Sequence, residues 1–239
     1  MNYESLAFSP RQDVLASGQL RVGMLLYPGL TLLDLIGPHT VLAAVARIHL
    51  IWKTLDPVRS DTGVEIAPDT TLATCPDKLD VLFIPGGPGQ LGVLQDPQVM
   101  AFIADRGQKA RYVTSVCTGS VILGAAGLLK GYQATSHWLA HELLPLFGAQ
   151  PVRSRVVIDR NRITGGGVTA GIDFGLVLLE KLLDRDAACL MQLAMEYDPA
   201  PPFDCGSPER AGPELVARVQ KLFEPAARST AEALQALRP

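Results

Sequence analysis

The stretch Arg111-Tyr-Val-Thr-Ser-Val-Cys-Thr-Gly-Ser120 decides the fold, because a β-branched run passes through one cysteine directly into a glycine and a small-residue pattern. This order predicts a strand over Tyr112–Val116, a tight turn at Cys117 and a helix through Ala126. A cysteine placed there faces the positive end of a helix dipole, which favours the thiolate. The sequence therefore favours a nucleophile at Cys117, and the alternative is a small core residue at a strand end.

Apolar strands and amphipathic helices alternate on both sides of this stretch. Such alternation predicts an α/β fold with a doubly wound, mainly parallel sheet flanked by helices, and with functional loops at the carboxyl ends of the strands. The other predicted strands are Leu20–Tyr27, His49–Leu55, Asp80–Ile84 and a hairpin of Val156–Asp159 and Arg162–Thr164, with irregular strands between Asp56 and Cys75. The predicted helices are Thr31–Arg47, Asp96–Gln108, Trp138–Phe147, Ala170–Leu183, Asp186–Met195 and a terminal helix Gly212–Leu237.

Length and composition limit the classes of function. The 239 residues are 48% hydrophobic and 19% charged, and the net charge of −3 argues against nucleic acid and anionic lipid as partners. We expect a tail over residues 1–19 and a single catalytic domain over 20–239. The chain start lacks the pattern of a secretory signal, and no apolar run reaches the ~20 residues of a membrane helix. Four dispersed cysteines without a C-x-x-C pair indicate a reducing cytoplasm.

Three loops at strand ends meet at one edge of the predicted sheet and supply different chemical groups. They are Tyr27–Asp34, Pro85–Gly89 and Cys117–Thr118. Backbone N–H groups of Gly87 and Thr118 would stabilise negative charge near the thiol, and Asp34 would move protons. Two alternatives stay open: Asp34 as a helix cap, and the glycine-rich loop as a tight turn, since it lacks the nucleotide-binding motifs.

The histidines and the second glycine-rich loop are weaker signals. His137 and His141 are four residues apart and could share a helix face, but they lack the H-E-x-x-H pattern and a third ligand, so no metal site is predicted. His137, just before a predicted helix, is expected to border the pocket. The Gly165–Gly167 run favours close backbone packing.

Several motifs together resemble a known superfamily. Over about Leu20–Leu193 the chain is similar to the ThiJ/PfpI superfamily, relatives of the class I glutamine amidotransferase domain, whose fold is flavodoxin-like. The motifs, in the order of the superfamily, are Val22-Gly-Met-Leu-Leu-Tyr-Pro-Gly29, Leu33-Asp-Leu-Ile-Gly-Pro38, Phe83-Ile-Pro-Gly-Gly87, Ser115-Val-Cys-Thr-Gly-Ser120 and Ala134-Thr-Ser-His-Trp138.

Within the superfamily the motifs are most similar to the isonitrile hydratase branch, as is the segment Tyr197–Gly206. That likeness implies conversion of a small isonitrile to an N-substituted formamide, without metal or organic cofactor, by a homodimer. It implies catalytic roles for Cys117, Asp34 and Thr118, with Gly87, Thr118 and His137 in the oxyanion and substrate pocket. The hypothesis is that the Cys117 thiolate attacks the isonitrile carbon, Asp34 supplies the proton, and water then hydrolyses the thioimidate.

Two departures from the superfamily narrow the interpretation. Thr118 stands where proteases carry histidine, and Asp34 stands where many members carry glutamate. Both agree with isonitrile hydratase, but also with the sensor domains of AraC-type regulators. The chain ends before a helix-turn-helix domain could fit, which argues against a regulator. A non-enzymatic ligand or redox sensor, and a thiol enzyme acting on another small electrophile, remain the alternatives.

Overall fold

The computed structural model describes residues 20–236, so the predicted tail over residues 1–19 lies outside the described residues. A seven-stranded sheet forms the centre, in the order β10-β11-β7-β6-β1-β2-β5. Its strands are β1 (Leu20–Leu25), β2 (Ala46–Trp52), β5 (Thr70–Thr71), β6 (Val81–Ile84), β7 (Tyr112–Val116), β10 (Val156–Asp159) and β11 (Arg162–Gly165). Two further pairs are β3 (Val58–Arg59) with β4 (Glu65–Ile66), and β8 (Gln133–Ala134) with β9 (Gln150–Pro151).

The central sheet is parallel except at one edge, where β10 runs antiparallel to β11. This confirms the predicted doubly wound, mainly parallel α/β fold. Every residue of β6 is buried, as expected of a central parallel strand whose two faces are both covered by helices. The strand order reverses beside β1, so the loops that follow β1 and β6 face the crevice where ligands bind in such sheets.

Helices cover both faces of the sheet. The helix Leu32–Leu42 packs closely against the helix Ala170–Leu182. This packing depends on glycine, since a Cβ at Gly175 would lie 3.1 Å from Cβ of Val41. Phe83 of β6 and Phe174 pack with ring centroids 5.6 Å apart and join this layer to the sheet. The helices are α1 (Leu32–Leu42), α2 (Gln90–Leu94), α3 (Pro97–Lys109), α4 (Gly119–Ala125), a 3₁₀ helix (Trp138–Phe147), α5 (Ala170–Leu182), α6 (Arg185–Ala194) and α7 (Pro208–Ala236).

Some predicted boundaries are wrong. The first helix ends at Leu42 and β2 begins at Ala46, three residues before the predicted start, because the β-branched and apolar residues there pair in register with β1. Residues 138–147 form a 3₁₀ helix. Gly212 has φ +77°, so it breaks α7, and the part after it, residues 213–236, is here called the C-terminal helix. No helix within residues 20–236 has both the length and the apolarity to span a bilayer.

Candidate active site

The backbone of Cys117 is held in a conformation that non-glycine residues seldom adopt. Its φ of +56° places it in the left-handed region, at the turn between β7 and α4. The Cys117 N–H donates to the carbonyls of Gly165 (3.2 Å) and Gly166 (2.7 Å). Its carbonyl accepts from the hydroxyls of Ser120 (3.2 Å) and Ser136 (3.0 Å). Four hydrogen bonds therefore fix the strained turn that presents the thiol, as predicted from the sequence.

Two glycines let neighbouring loops press against this turn. A Cβ at Gly119 would lie 2.2 Å from the carbonyl oxygen of Ile84, and a Cβ at Gly86 would lie 2.5 Å from the amide nitrogen of Thr118. Real Cβ atoms do not approach backbone atoms so closely, so the end of β6 can touch the cysteine turn only because both positions lack side chains. This contact places the loop after β6 beside the thiol.

Asp34 is fully buried and does not cap its own helix. Its Oδ2 accepts from the Gly86 N–H at 2.8 Å, across 52 residues of sequence. The N-terminus of α1 is served instead by Asp61, whose Oδ1 accepts from the Leu32 N–H at 3.0 Å. The alternative of a helix cap at Asp34 is therefore wrong. Oδ1 of Asp34 is buried with no nitrogen or oxygen donor among the described residues.

The pKa values of Asp34 and Cys117 are coupled. Burial raises the pKa of Asp34 from its ordinary 3.8 to about 7, against the Gly86 N–H and the nearby Cys117 side chain, which both lower it. Burial, and then the nearby Asp34 charge, raise the pKa of the Cys117 thiol well above its ordinary value. Desolvation thus outweighs the short helix dipole. Burial therefore opposes the thiolate that the sequence predicts, and favours a thiol beside a carboxyl group whose pKa is raised to about 7.

Two backbone N–H groups lie beside the sulfur, and only one of them belongs to the predicted pair of Gly87 and Thr118. The N–H groups of Thr118 and Val168 hydrogen-bond the Cys117 sulfur and lower its pKa. The N–H of Gly87 donates to Oγ1 of Thr118 at 3.0 Å, so it orients the threonine and does not face the sulfur. Val168 was missed, because nothing in the sequence places the start of α5 beside the cysteine.

A cavity of about 660 Å³ opens above the thiol. Of the predicted site residues, Cys117, Thr118, Gly87 and His137 line it, and Asp34 does not. Most of the wall is apolar. The remaining lining residues are Thr31, Leu32, Leu33, Ile36, Asp61, Thr62, Pro88, Gln90, Leu139, Ala140, Leu143, Val168, Phe223, Ala226, Ala227 and Thr230. The last four belong to the C-terminal helix, which sequence reasoning did not assign to the site.

Comparison with known protein families gives a match to the DJ-1/PfpI family over residues 20–181. The chain belongs to the DJ-1/PfpI family. It is 52% identical over 208 residues to isonitrile hydratase of Pseudomonas putida, which covers 86% of this chain and 91% of that protein. A crystal structure of a ThiJ/PfpI family protein from Pseudomonas syringae superposes with a TM-score of 0.89 at 48% identity, covering 94% of each chain.

A transcriptional regulator is a more distant relative of this DJ-1/PfpI protein. The HTH-type regulator GbdR of Pseudomonas aeruginosa is 29% identical over 188 residues, which is 74% of this chain and 50% of the regulator. This similarity to a transcriptional regulator agrees with the resemblance of the motifs to regulator domains. It is weaker and less complete than the similarity to the hydratase.

His137 and His141 occupy different surroundings in this DJ-1/PfpI fold. Nδ1 of His137 accepts from the Leu139 N–H at 3.3 Å, and burial lowers its pKa, so the ring is neutral at the cavity wall. His137 is the N-cap residue before the 3₁₀ helix, whereas His141 lies within the helix and is buried, so the two side chains do not share a helix face. Within residues 20–236, no cluster of three or more His, Cys, Asp or Glu side chains is arranged to hold a metal ion.

Proposed function

We propose that this protein is an isonitrile hydratase that converts isonitriles to N-substituted formamides through a thioimidate on Cys117. The observation that carries the proposal is the buried pair at the base of the cavity: a carboxyl group with a pKa of about 7 beside a strained cysteine that lines the cavity. The 52% identity to the Pseudomonas putida isonitrile hydratase supports the same activity.

The first step forms the covalent intermediate. Above pH 7 the Asp34 carboxylate accepts the thiol proton as the sulfur attacks the terminal carbon of R–N≡C. Asp34 then delivers this proton to the same carbon, which gives R–N=CH–S–Cys117. The N–H groups of Thr118 and Val168 hold the charge that develops on sulfur during the attack. The attacking form is thus generated within the complex and does not need a resting thiolate.

The second step consumes water. The Asp34 carboxylate removes a proton from water, whose oxygen adds to the thioimidate carbon, and the substrate nitrogen takes up the proton. The tetrahedral species R–NH–CH(OH)–S–Cys117 then collapses to R–NH–CHO and the free thiol. Each atom of isonitrile and water is accounted for in the formamide. A carboxyl group whose pKa lies near the working pH can act as acid and base in turn.

The direct test is incubation of the purified protein with cyclohexyl isonitrile, with the formamide measured by mass spectrometry. We expect turnover by the wild type and none by Cys117→Ala, although the variant should keep the wild-type circular dichroism spectrum. Absence of turnover in the wild type, or unchanged turnover in Cys117→Ala, contradicts the proposal.

The sensor alternative fits the site less well. Oxidation by peroxide needs a thiolate, and burial beside Asp34 raises the pKa of the Cys117 thiol, which disfavours the thiolate. Peroxide titration followed by mass spectrometry separates the two functions: ready formation of a sulfinic acid without hydratase activity would favour the sensor. Glyoxalase-type or amidase-type chemistry on another electrophile is tested with the same enzyme preparation and the corresponding substrates.

We also propose that residues from 20 onward form one catalytic unit that works as a homodimer in the cytoplasm. The homodimer is what the resemblance of the motifs to the isonitrile hydratase branch implies. Light scattering coupled to gel filtration tests it: we expect about twice the mass of the 25.6 kDa chain.

A further inference from the structure

One face of the C-terminal helix forms a wall of the cavity. Phe223, Ala226, Ala227 and Thr230 all line it. Their spacing of i, i+3, i+4 and i+7 places them on a single helix face. The wall is therefore continuous, and its shape depends on which side chains stand at these four positions.

The two ends of the wall differ in exposure. Thr230 is 4% exposed and accepts a hydrogen bond from Nε2 of Gln90 at 3.4 Å, and Leu234 is also buried. About two turns before Thr230, Phe223 is 52% exposed and Leu222 is 76% exposed. The helix is thus fixed beyond the cavity and reaches over its mouth, with Phe223 at the outer edge.

The cavity is much larger than the reacting group requires. An isonitrile group contains two heavy atoms, whereas cavities of about 300–1000 Å³ accommodate drug-sized ligands. The volume here is about 660 Å³. Leu33, Ile36 and Leu143 also line the cavity, and Asp61 carries the one charge among the described lining residues, given a neutral His137. Most of the space is therefore available to the N-substituent, in apolar surroundings.

We propose that the face from Phe223 to Thr230 selects isonitriles whose N-substituent is bulky, uncharged and apolar, of the size of one or two rings. This inference rests on the proposed hydratase function. Two alanines at the centre of the wall, Ala226 and Ala227, leave the room that the ring occupies, while Phe223 contacts its outer edge. The Asp61 carboxylate at the rim disfavours anionic substituents.

The test compares kcat/KM for 2-naphthyl isonitrile and methyl isonitrile in three proteins. Ala227→Phe fills the cavity, so we expect its naphthyl-to-methyl ratio to fall by about tenfold or more relative to the wild type. Ala217→Phe is the matched control, because Ala217 is exposed on the same helix and does not line the cavity. The control should keep the wild-type ratio. An unchanged ratio in Ala227→Phe, or an equal fall in the control, overturns the inference.

A binding measurement separates this inference from the hydratase proposal. If the wild type turns over no isonitrile, the proposed function fails, but the wall is still tested with N-(2-naphthyl)formamide as an unreactive probe. We expect this probe to raise the melting temperature of the wild type and of Ala217→Phe, and to leave that of Ala227→Phe unchanged. Equal shifts in all three proteins, or no shift in any, overturn the inference.

Discussion

Two regions border the same cavity and are built in opposite ways. At the strand ends, Asp34 is fully buried and Cys117 is 6% exposed, and the loops are joined by backbone hydrogen bonds such as that from Gly86 to Asp34. In the C-terminal helix, most residues before Thr230 are exposed, and the bordering positions include two alanines. The comparison teaches that the backbone fixes the reacting groups, whereas exchangeable side chains on an exposed helix set the shape of the space above them.

Replacement of the proposed sulfur nucleophile is the strongest test of the contrast between the strand-end loops and the C-terminal helix. Cys117→Ser keeps the size and the turn, but a serine hydroxyl beside Asp34 is a far weaker nucleophile, so we expect kcat to fall on the order of 10⁴-fold or more. Cys189→Ser, at an exposed free cysteine of α6, is the control and should keep full activity. Comparable activity of the two variants in a formamide assay would contradict the role of the strand-end loops.

Asp34→Asn keeps the shape of the side chain and removes the titrating group. We expect kcat/KM to fall by about 10²–10⁴-fold, which is the usual contribution of a general acid–base group. In the wild type kcat/KM should rise as pH passes through about 7, where Asp34 becomes the carboxylate, and the variant should lack this rise. Thr40→Val, at an exposed position of α1, serves as the control and should keep the wild-type pH profile. If Asp34→Asn also kept the wild-type pH profile, Asp34 would not be the general acid–base group.

The same substitution has a consequence for stability that depends on pH. Because the folded-state pKa of Asp34 is raised from 3.8 to about 7, the folded protein binds this proton more tightly than the unfolded chain. The wild type should therefore lose this stabilisation as pH rises from about 4 to 7, and the variant should not. Urea unfolding at pH 4.5 and pH 8 measures this: the stability of Asp34→Asn relative to the wild type should increase with pH. A constant difference would contradict the raised pKa.

A methyl group at Gly87 tests the rigidity of the strand-end loops. The residue has φ +144°, and a Cβ would lie 2.5 Å from the carbonyl oxygen of Gly29 and 2.5 Å from the amide nitrogen of Thr31. We expect Gly87→Ala to lower the free energy of unfolding by about 1–3 kcal/mol. Gly92→Ala is the matched control, since no atom lies within 4 Å of its Cβ position, and it should be neutral or slightly stabilising. Equal effects in chemical denaturation would argue against close loop packing.

The smallest effect is expected on the outer side of the C-terminal helix. Arg228 pairs with Glu224 at 2.9 Å, and both side chains are more than 60% exposed. Arg228→Ala should change the free energy of unfolding by less than about 0.5 kcal/mol and leave kcat/KM unaltered. A larger loss of stability or activity would mean that this helix contributes more than a wall, which would weaken the contrast between the two regions.

Local sequence patterns were sufficient for the central strands and for the turn at Cys117. The β-branched run Tyr112–Val116 is a strand with the predicted bounds, and the hairpin strands β10 and β11 also lie where they were expected. Both signals involve residues that are adjacent in sequence. The family resemblance then singled out Asp34, whose alternative as a helix cap could be rejected only once its bond to Gly86 was known.

Properties that depend on distant residues could not be predicted. The protonation of Cys117 depends on how completely the fold buries the sulfur beside Asp34, and no local motif reports that burial. Val168 reaches the sulfur because α5 starts beside the cysteine turn. Residues 138–147 have an apolar pattern that fits α and 3₁₀ helices alike, so the sequence left open whether His137 and His141 share a face.

The break at Gly212 sets the C-terminal helix apart as a segment of its own. All four of its cavity-facing positions fall within eight consecutive residues, 223–230, whereas the reacting groups come from other parts of the chain. A library randomised at Ala226 and Ala227 would therefore vary the accepted substituent without altering the reaction. Directed evolution toward new isonitriles has its natural starting point there.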